Sequence, residues 1–364
     1  MDLNNLLRAS LKRYSAYEPG EQPTDNGWIK LNTNENPYPP VPEILEDIKN
    51  AIDVRMNRYP DPLALEVRKA LLNQLLRDKD TLTNRNTVFV GNGCDEILDT
   101  VFKVFIDPGD EVVFFYPSYG LYKVLASLYN AKINEIKLND DFSFPESIFS
   151  AKVSGKLLFI NSPNNPNGKS YGNAAILKIC SNFSGIVVVD ETYADFSDQT
   201  SLPLLKKVKN LIVARTFSKT FSLASMRFGY ALADADIIKE MNKVKLPYNT
   251  NYLAQIAALS CIKYRDKLYE QNKKIIEERN RLSKELNNYN GITVLPSDAN
   301  FLCIKFDDKS IALKFLWDLK DKYKILVRHF NKPGLYQYLR VTIGTLEENN
   351  KFLDAFRDLV NTYL

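Results

Sequence analysis

The pattern of apolar positions divides the first two thirds of the chain into short runs separated by helical segments. The apolar runs cover residues 87–90, 111–115, 156–160, 186–189 and 211–214. Segments with helical spacing of apolar residues lie near 62–77, 95–106, 119–130, 173–182 and 234–245. Short continuous apolar runs, each followed by a helix, are typical of a parallel sheet whose two faces are both covered. The pattern therefore predicts an α/β fold with a mostly parallel central sheet.

After residue 250 the pattern changes to longer helices and more widely spaced apolar runs. Helices are predicted at 251–288, 310–322 and 346–362, and strands at 292–295, 300–306, 325–329 and 338–343. Such a mixture is typical of a smaller α+β domain. The first 40 residues are polar and rich in proline, which indicates an arm. We therefore expect an N-terminal arm (1–40), a large domain (41–250) and a small C-terminal domain (251–364).

Composition and charge exclude several classes of function. The net charge of +4 is spread along 364 residues without a basic block, so nucleic acid is not an expected partner. No run approaches about 18 apolar residues and no signal peptide is apparent, so we expect a cytoplasmic protein without a membrane span. The four cysteines are far apart and His329 is the one histidine, which leaves little for a metal site or a Ser-His-Asp triad.

Polar residues follow four of the predicted strands. They are Gly91-Asn92-Gly93 after 87–90, Asn161 to Pro166 after 156–160, Asp190 after 186–189, and Ser218-Lys219 after 211–214. In an open parallel sheet the carboxyl ends of the strands lie at one edge, and ligands bind there. The four loops are therefore predicted to meet in one site.

The residue types in these loops suit one cofactor. Lys219 can bind an aldehyde covalently and can then move a proton, and Asp190 can keep a pyridine nitrogen protonated. A helix that begins at Cys94-Asp95-Glu96 can bind phosphate through its N–H groups. Further donors are Thr216, Ser218 and Arg227 for the phosphate, and Asn165 and Tyr193 for a phenolic oxygen. Pyridoxal 5'-phosphate carries an aldehyde, a pyridine nitrogen, a phosphate and a phenolic oxygen, so a pyridoxal-phosphate enzyme is predicted.

Each motif alone has a simpler interpretation. The sequence GNGCDE resembles a dinucleotide fingerprint, although Glu96 stands where the third glycine would be. Asp190 could cap a helix, Lys219 could be a surface lysine, and NNPNG could be an ordinary turn. Their order along the chain and their convergence favour the cofactor site.

The chain resembles fold type I pyridoxal-phosphate enzymes of the aspartate-aminotransferase type, and within them the histidinol-phosphate aminotransferases. The motifs that carry the resemblance are LNTNENPYPP (31–40), RYPDP (58–62), GNGCDEIL (91–98), YPSYGLY (116–122), NSPNNPNG (161–168), VVVDETYADF (187–196), RTFSKTFSLASMRFGY (215–230) and YLRVTIGT (338–345). The resemblance therefore extends over nearly the whole chain. It implies a large domain with a mostly parallel sheet and a smaller C-terminal domain.

The resemblance implies a role for each matched residue. Lys219 binds the cofactor aldehyde, Asp190 contacts the ring nitrogen, and Asn165 and Tyr193 contact the phenolic oxygen. Tyr119 stacks on the ring. The phosphate is held by Gly93, Cys94, Asp95, Glu96, Thr216, Ser218 and Arg227. Tyr59 reaches the phosphate of a neighbouring subunit, which implies a homodimer, although a packed core tyrosine is the simpler interpretation of Tyr59.

The resemblance also implies a substrate. Arg340 matches the arginine that binds the acidic group of the substrate, and Arg328 matches a second arginine nearby, with Tyr17 and Asn34 as weaker candidates for closing the pocket. Two guanidinium groups suit the dianionic phosphate of histidinol phosphate. The implied reaction is transamination between L-histidinol phosphate and 2-oxoglutarate, which yields imidazole-acetol phosphate and L-glutamate in histidine biosynthesis.

Other functions on the same fold remain open. Threonine-phosphate decarboxylases share the lysine loop, and aromatic aminotransferases share the pocket. A non-enzymatic regulator with an aminotransferase-like domain would need an added DNA-binding module, for which an arm of 40 residues leaves no room. The chain departs from the family at Asn167, at Ser225-Met226 and at Ala16 before Tyr17. These departures flank the expected site without supplying its reactive groups.

Overall fold

The structure is a computed structural model that describes residues 5–8, 11, 16–52, 54–76, 84–150 and 153–364. The end of the helix predicted at 62–77 and parts of the predicted arm lie outside the described residues. None of the described helices is both long enough and apolar enough to span a bilayer.

The strands and helices of the described residues follow one another in alternation through most of the chain. The strands are β1 (Ile29–Lys30), β2 (Val88–Gly91), β3 (Glu111–Tyr116), β4 (Lys132–Lys137), β5 (Leu157–Asn161), β6 (Ile186–Asp190), β7 (Leu211–Thr216), β8 (Gly229–Leu232), β9 (Ile292–Leu295), β10 (Phe301–Phe306), β11 (Ile325–Leu326), β12 (Arg328–His329) and β13 (Tyr338–Thr342). The helices are α1 (Pro42–Asn50), α2 (Leu65–Ala70), α3 (Gly93–Phe105), α4 (Leu121–Leu128), α5 (Ser147–Ser150), α6 (Asn173–Asn182), α7 (Ala235–Val244), α8 (Tyr252–Lys263), α9 (Arg265–Leu286), α10 (Lys309–Asp321) and α11 (Leu346–Tyr363).

A central sheet confirms the predicted α/β fold. Within the described residues, seven strands form this sheet in the order β2-β8-β7-β6-β5-β3-β4. The pairs along β7, β6, β5, β3 and β4 are parallel, whereas β8 is antiparallel to both of its neighbours. Because β8 separates β2 from β7, the carboxyl end of β2 lies at the same edge as those of the parallel strands.

Both faces of the central sheet are covered, which explains the continuous apolar runs. In β6, Val187 and Val189 pack into one hydrophobic core, and Val188 packs into the core on the opposite face. Successive side chains of a strand point to opposite faces, so a strand buried on both sides must be apolar at every position.

The C-terminal part forms a second, antiparallel sheet in the order β12-β13-β10-β9, with its own hydrophobic core. The helix predicted at 251–288 is divided at Tyr264 into α8 and α9. Helix α8 packs beside α1 and contributes Ala254 and Ala257 to a core of the central sheet. The predicted domain boundary at residue 250 stays a prediction.

The last residues of the predicted arm pair with the C-terminal part. Strand β1 runs parallel to β11, and Thr342 N–H donates to Leu31 O at 2.9 Å. The chain between residues 29 and 34 therefore pairs with β11 and contacts Thr342 at the end of β13 before it enters α1. This segment forms one side of the candidate site.

Candidate active site

The carboxyl ends of the central strands open into a cavity of about 880 Å³. Most of the residues that the sequence predicts for the site line this cavity: Tyr17, Asn34, Cys94, Asp95, Tyr119, Asn165, Asp190, Tyr193, Thr216, Ser218, Lys219, Arg227, Arg328 and Arg340. Asp190 and Lys219 meet at this edge because the carboxyl ends of parallel strands lie together. Tyr17 and Arg340 join them from the N-terminal segment and from the second sheet.

Asp190 lies at the end of β6 and is 2% exposed. Its Oδ1 accepts hydrogen bonds from Thr192 Oγ1 at 2.7 Å and from Thr192 N–H at 3.1 Å. Its Oδ2 accepts a hydrogen bond from Tyr122 Oη at 2.9 Å. Burial raises the pKa of Asp190, whereas the hydrogen bonds from Thr192 and Tyr122 lower it. The carboxylate is therefore held by donors and would be favoured further by a cation in the cavity.

Tyr122 and Cys94 complete the surroundings of Asp190. Tyr122 is fully buried on α4, and its ring stacks on Phe159 with a centroid distance of 4.9 Å. The thiol of Cys94 lies 3.9 Å from Asp190 Oδ1, and burial raises the pKa of Cys94 so that it stays a neutral donor. Sequence reasoning missed Tyr122 as a partner of Asp190, because a tyrosine at an apolar helix position has no local mark that separates it from a core residue.

Lys219 follows β7, and its Nζ donates to the carbonyl oxygen of Thr33 at 2.9 Å. Its own carbonyl accepts from Asn36 Nδ2 at 3.0 Å, so both ends of the residue contact the segment after β1. Burial lowers the pKa of Lys219 to about 8, and the positive charge of Arg340 contributes to the shift. An amine with this lowered pKa is neutral far more often at mildly basic pH than an ordinary lysine, as a nucleophile or proton carrier must be.

The beginning of α3 forms an anion cradle with the loop after β7. The side chain of Asn92, the residue before this helix, makes no capping hydrogen bond, and Gly93 has a φ of 81°, which favours glycine. Arg227 Nη1 donates to Ser218 Oγ at 3.3 Å, and its Nη2 forms an ion pair with Asp95 at 3.2 Å. A helix N-terminus with an arginine and a hydroxyl beside it is suited to a phosphate group.

Three of the residues predicted for the phosphate site have other contacts. Thr216 Oγ1 accepts a hydrogen bond from Ser218 N–H at 3.1 Å, which shapes the loop. The Glu96 carboxylate accepts from the N–H of Asn92 and from Asn249 Nδ2, so it holds the helix start. Gly93 and Glu96 are absent from the described lining of the cavity, and Gly93 lies directly against the Arg227 guanidinium.

Arg340 lies on β13 and is 6% exposed. Its Nη1 donates to Asn165 Oδ1 and its Nη2 to Asn32 O, both at 2.7 Å. Its Nε is buried without a hydrogen-bond partner among the described residues. Burial lowers the pKa of Arg340, and Arg328 adds to this shift. A buried guanidinium with an unused donor at a cavity wall is suited to a substrate anion.

Tyr193 and Asn34 lie on the same side of the cavity as Arg340. Asn34 is buried, and its Nδ2 donates to Tyr193 Oη at 2.9 Å. Burial raises the pKa of Tyr193 to about 12, against the effects of Arg340 and of the Asn34 hydrogen bond. Tyr193 is therefore a neutral hydrogen-bond donor over the physiological range.

The mouth of the cavity is formed by the remaining predicted residues. Arg328 donates from Nη2 to Glu18 O at 3.1 Å and from Nη1 to Pro19 O at 3.4 Å. Tyr17 packs edge-on against Tyr119 with ring centroids 5.9 Å apart. The segment around residue 17 thus closes over the ring of Tyr119, and Arg328 holds it there.

Tyr59 lies outside the cavity and is not a core residue. It is 79% exposed, and its ring stacks on Tyr248 at a centroid distance of 4.2 Å. The simpler interpretation as a packed core tyrosine is therefore wrong. Two departures from the family pattern are also placed: Asn167 is buried in the turn after β5, and Ser225-Met226 lie in a short turn before Arg227.

Comparisons with known proteins identify the family of the chain. The family described as "Aminotransferase class I and II" matches residues 26–356. A histidinol-phosphate aminotransferase of Geotalea uraniireducens is 38% identical over 356 residues, which cover 97% of this chain and 99% of the relative. One of Clostridium botulinum is 39% identical over 357 residues, which cover 96% of this chain and 97% of the relative.

A solved structure has the same fold. The crystal structure of histidinol-phosphate aminotransferase from Sinorhizobium meliloti in complex with pyridoxal-5'-phosphate has a TM-score of 0.84 and 22% identity, and the match covers 92% of each chain. With the site geometry and the full-length relatives, this fold completes the assignment. The chain belongs to the class I and II aminotransferases and, within them, to the histidinol-phosphate aminotransferase family.

Proposed function

We propose that this enzyme transfers the amino group of L-histidinol phosphate to 2-oxoglutarate, giving imidazole-acetol phosphate and L-glutamate in histidine biosynthesis. The observation that carries the proposal is one cavity lined by Lys219, Asp190, Arg328 and Arg340. An amine, a buried carboxylate and two guanidinium groups around one cavity are what transamination of a phosphorylated amine requires.

The residues of the cavity fit pyridoxal 5'-phosphate. Asp190, held by Tyr122 and Thr192, is the partner for the protonated ring nitrogen. The start of α3, with Ser218 and Arg227, would hold the phosphate. When bound, the cofactor supplies an electron sink that stabilises negative charge on the substrate carbon.

The chain's own groups then divide the remaining work. Lys219 would hold the cofactor through its aldehyde, and its free amine would carry a proton at the substrate carbon. The Thr33 carbonyl, 2.9 Å from Nζ, holds the amine in place. Tyr193 and the amide nitrogen of Asn165 would hydrogen bond to the phenolic oxygen, and Tyr119 would cover the ring.

The two arginines set the substrate class. The Arg340 guanidinium lines the cavity from a buried position, where a hydrogen bond to a charge is stronger than in water. Arg328, now bonded to the carbonyls of Glu18 and Pro19, supplies a second guanidinium for a dianionic phosphate. An aromatic amino acid carries a single carboxylate and would use one of these arginines. A decarboxylase is disfavoured by the full-length similarity to histidinol-phosphate aminotransferases.

We further propose a homodimer in which Tyr59 reaches the phosphate site of the partner. Tyr59 is exposed on its own subunit and stacked on Tyr248, and the exposed apolar side chains of Met56 and Leu246 lie close by in sequence. An exposed group of large apolar side chains is typical of a subunit interface.

The four cysteines are free and buried, which suits a reducing compartment, and we place the enzyme in the cytoplasm.

Two variants test the chemistry. Lys219→Ala should abolish turnover and the visible absorbance band of the cofactor, while Lys209→Ala, a change of an exposed lysine close in sequence, should leave both intact. An active Lys219→Ala enzyme would overturn the proposal.

The variants Arg328→Lys and Arg340→Lys test the substrate site, because they keep the positive charge but lose the planar guanidinium group. They should lower kcat/KM for histidinol phosphate about 10- to 100-fold. The control variant Arg357→Lys, at an exposed position, should leave kcat/KM unchanged.

The substrate is tested in a half-reaction. Histidinol phosphate and phenylalanine are added separately to the cofactor-loaded enzyme, and the loss of the visible band is followed. Far more efficient conversion by histidinol phosphate supports the proposal, and conversion by phenylalanine alone would keep the aminotransferase and discard the substrate.

The dimer is tested by mixing two inactive chains. Tyr59→Ala and Lys219→Ala subunits, unfolded and refolded together, should regain activity, because each mixed dimer contains one site with both residues intact. Refolding without any gain would show that Tyr59 acts within its own subunit or not at all.

A further inference from the structure

Asn34 is 1% exposed, and each of its backbone and side-chain polar groups forms a hydrogen bond. Its Nδ2 donates to Tyr193 Oη at 2.9 Å, and its Oδ1 accepts from Thr342 Oγ1 at 3.2 Å. Its backbone N–H donates to Thr342 Oγ1 at 2.9 Å, and its carbonyl accepts from Asn300 Nδ2 at 3.0 Å. The side-chain oxygen and nitrogen of Asn34 therefore bind partners that lie far apart in the sequence.

The backbone at Asn34 is suited to asparagine. Its φ of 54° lies in the left-handed region, which asparagine adopts more readily than most residues. This conformation turns the chain between β1 and α1 so that the side chain points at Tyr193. Thr342, on the other side of Asn34, lies two residues after Arg340 on β13. Asn34 thus joins the tyrosine of the cofactor site to the strand of the substrate arginine.

The hydrogen-bond direction determines where the tyrosine proton points. Because Asn34 donates into Tyr193 Oη, the single proton of that hydroxyl is free to donate elsewhere, and Tyr193 lines the cavity. A donor that itself accepts a hydrogen bond becomes a stronger donor. If Asn34 were an acceptor instead, the proton of Tyr193 would be used up within the protein.

We propose that Asn34 is a positioning residue that orients the hydroxyl proton of Tyr193 toward the phenolic oxygen of the cofactor and does not itself contact the substrate. The inference rests on the proposed function, since it requires the cofactor site described above. It assigns Asn34 a task in tuning the cofactor, in contrast to the role in closing the pocket that the family resemblance implies.

The test uses the pH midpoint of the cofactor's visible absorbance band. Asn34→Gly keeps the positive φ without strain and removes the donor without adding a charge. The phenolic oxygen then has a weaker donor, which raises the proton affinity of the nitrogen contributed by Lys219. We expect the midpoint to rise by about half to one unit. Asn34→Asp, which can only accept from Tyr193, should raise it further, while Asn130→Gly, at an exposed position with a φ of 55°, should not move it.

A double-mutant cycle decides whether the effect passes through Tyr193. In a Tyr193→Phe background, Asn34→Gly should cause no further shift, because the hydroxyl that it orients is gone. A shift that adds in full to that of Tyr193→Phe, or an unshifted midpoint in both Asn34 variants, would overturn the inference while leaving the aminotransferase function intact. A wild-type protein without any visible band would instead overturn the proposed function, and the inference with it.

Discussion

Replacing Tyr122 by phenylalanine tests the network that we assign to the ring nitrogen. Tyr122 Oη donates to Asp190 Oδ2 at 2.9 Å, while Thr192 supplies the donors to Oδ1. In Tyr122→Phe this donor is lost, and the ring can stay packed on Phe159. The substitution therefore changes the hydrogen bonding of one buried carboxylate oxygen and little else.

The magnitude follows from the burial of Asp190. A hydrogen bond to a charged group contributes about 1.5–3 kcal/mol, and one pKa unit corresponds to about 1.4 kcal/mol. The pKa of Asp190, already raised by burial, should therefore rise further in the cofactor-free protein, because one of the hydrogen bonds that lowers it is lost. The variant carboxylate holds a protonated ring nitrogen less firmly, so we expect kcat to fall about 10- to 100-fold and cofactor affinity to fall with it.

The assay measures kcat with histidinol phosphate and the cofactor dissociation constant for the wild type and two variants. Tyr129→Phe is the matched control, because Tyr129 Oη also donates to a carboxylate, that of Asp99, at 2.7 Å but outside the described cavity lining. The control should retain wild-type kcat and affinity. A change of less than about threefold in both quantities for Tyr122→Phe would refute our reasoning, since it corresponds to less than the free energy of even a weak hydrogen bond to a charged group.

Three further predictions concern stability. Arg215→Met should lower the free energy of unfolding in urea by about 3–5 kcal/mol, because it leaves Glu191 buried without its partner at 2.7 Å, and a loss below about 1 kcal/mol would contradict this. Phe356→Ala should cost about 3–5 kcal/mol in the same assay, as expected for a fully buried ring, and an unchanged midpoint would contradict it. In the cofactor-free protein, Lys219 has a pKa of about 8 when folded and 10.5 as its ordinary value, so the unfolded state binds more protons between these values. The contribution of Lys219 to the free energy of unfolding should therefore rise by roughly 3 kcal/mol as the pH increases from about 8 to 10.5. The Lys219→Met variant should lack this rise.

The strands of the central sheet could be predicted because burial on both faces leaves a local mark. The predicted run 186–189 corresponds to β6 (Ile186–Asp190), and 211–214 to β7 (Leu211–Thr216). Strand β4 was not predicted, because it lies at the edge of the sheet and its residues are largely exposed or half-buried. Strand β8 was also missed. It is four residues long and follows the lysine loop, where the sequence pattern is dominated by residues of the site.

The sequence by itself determined the alternation of strands and helices and, through the strand ends, the meeting of Asp190 and Lys219 at one edge. Both follow from local periodicity and from the fixed polarity of parallel strands. Only the tertiary structure decided what surrounds them. Lys219 is bonded to Thr33, 186 residues away, and Asp190 to Tyr122, 68 residues away. A hydrogen bond depends on distance and direction in space, and no spacing along the chain records which distant oxygen a buried lysine or tyrosine will reach.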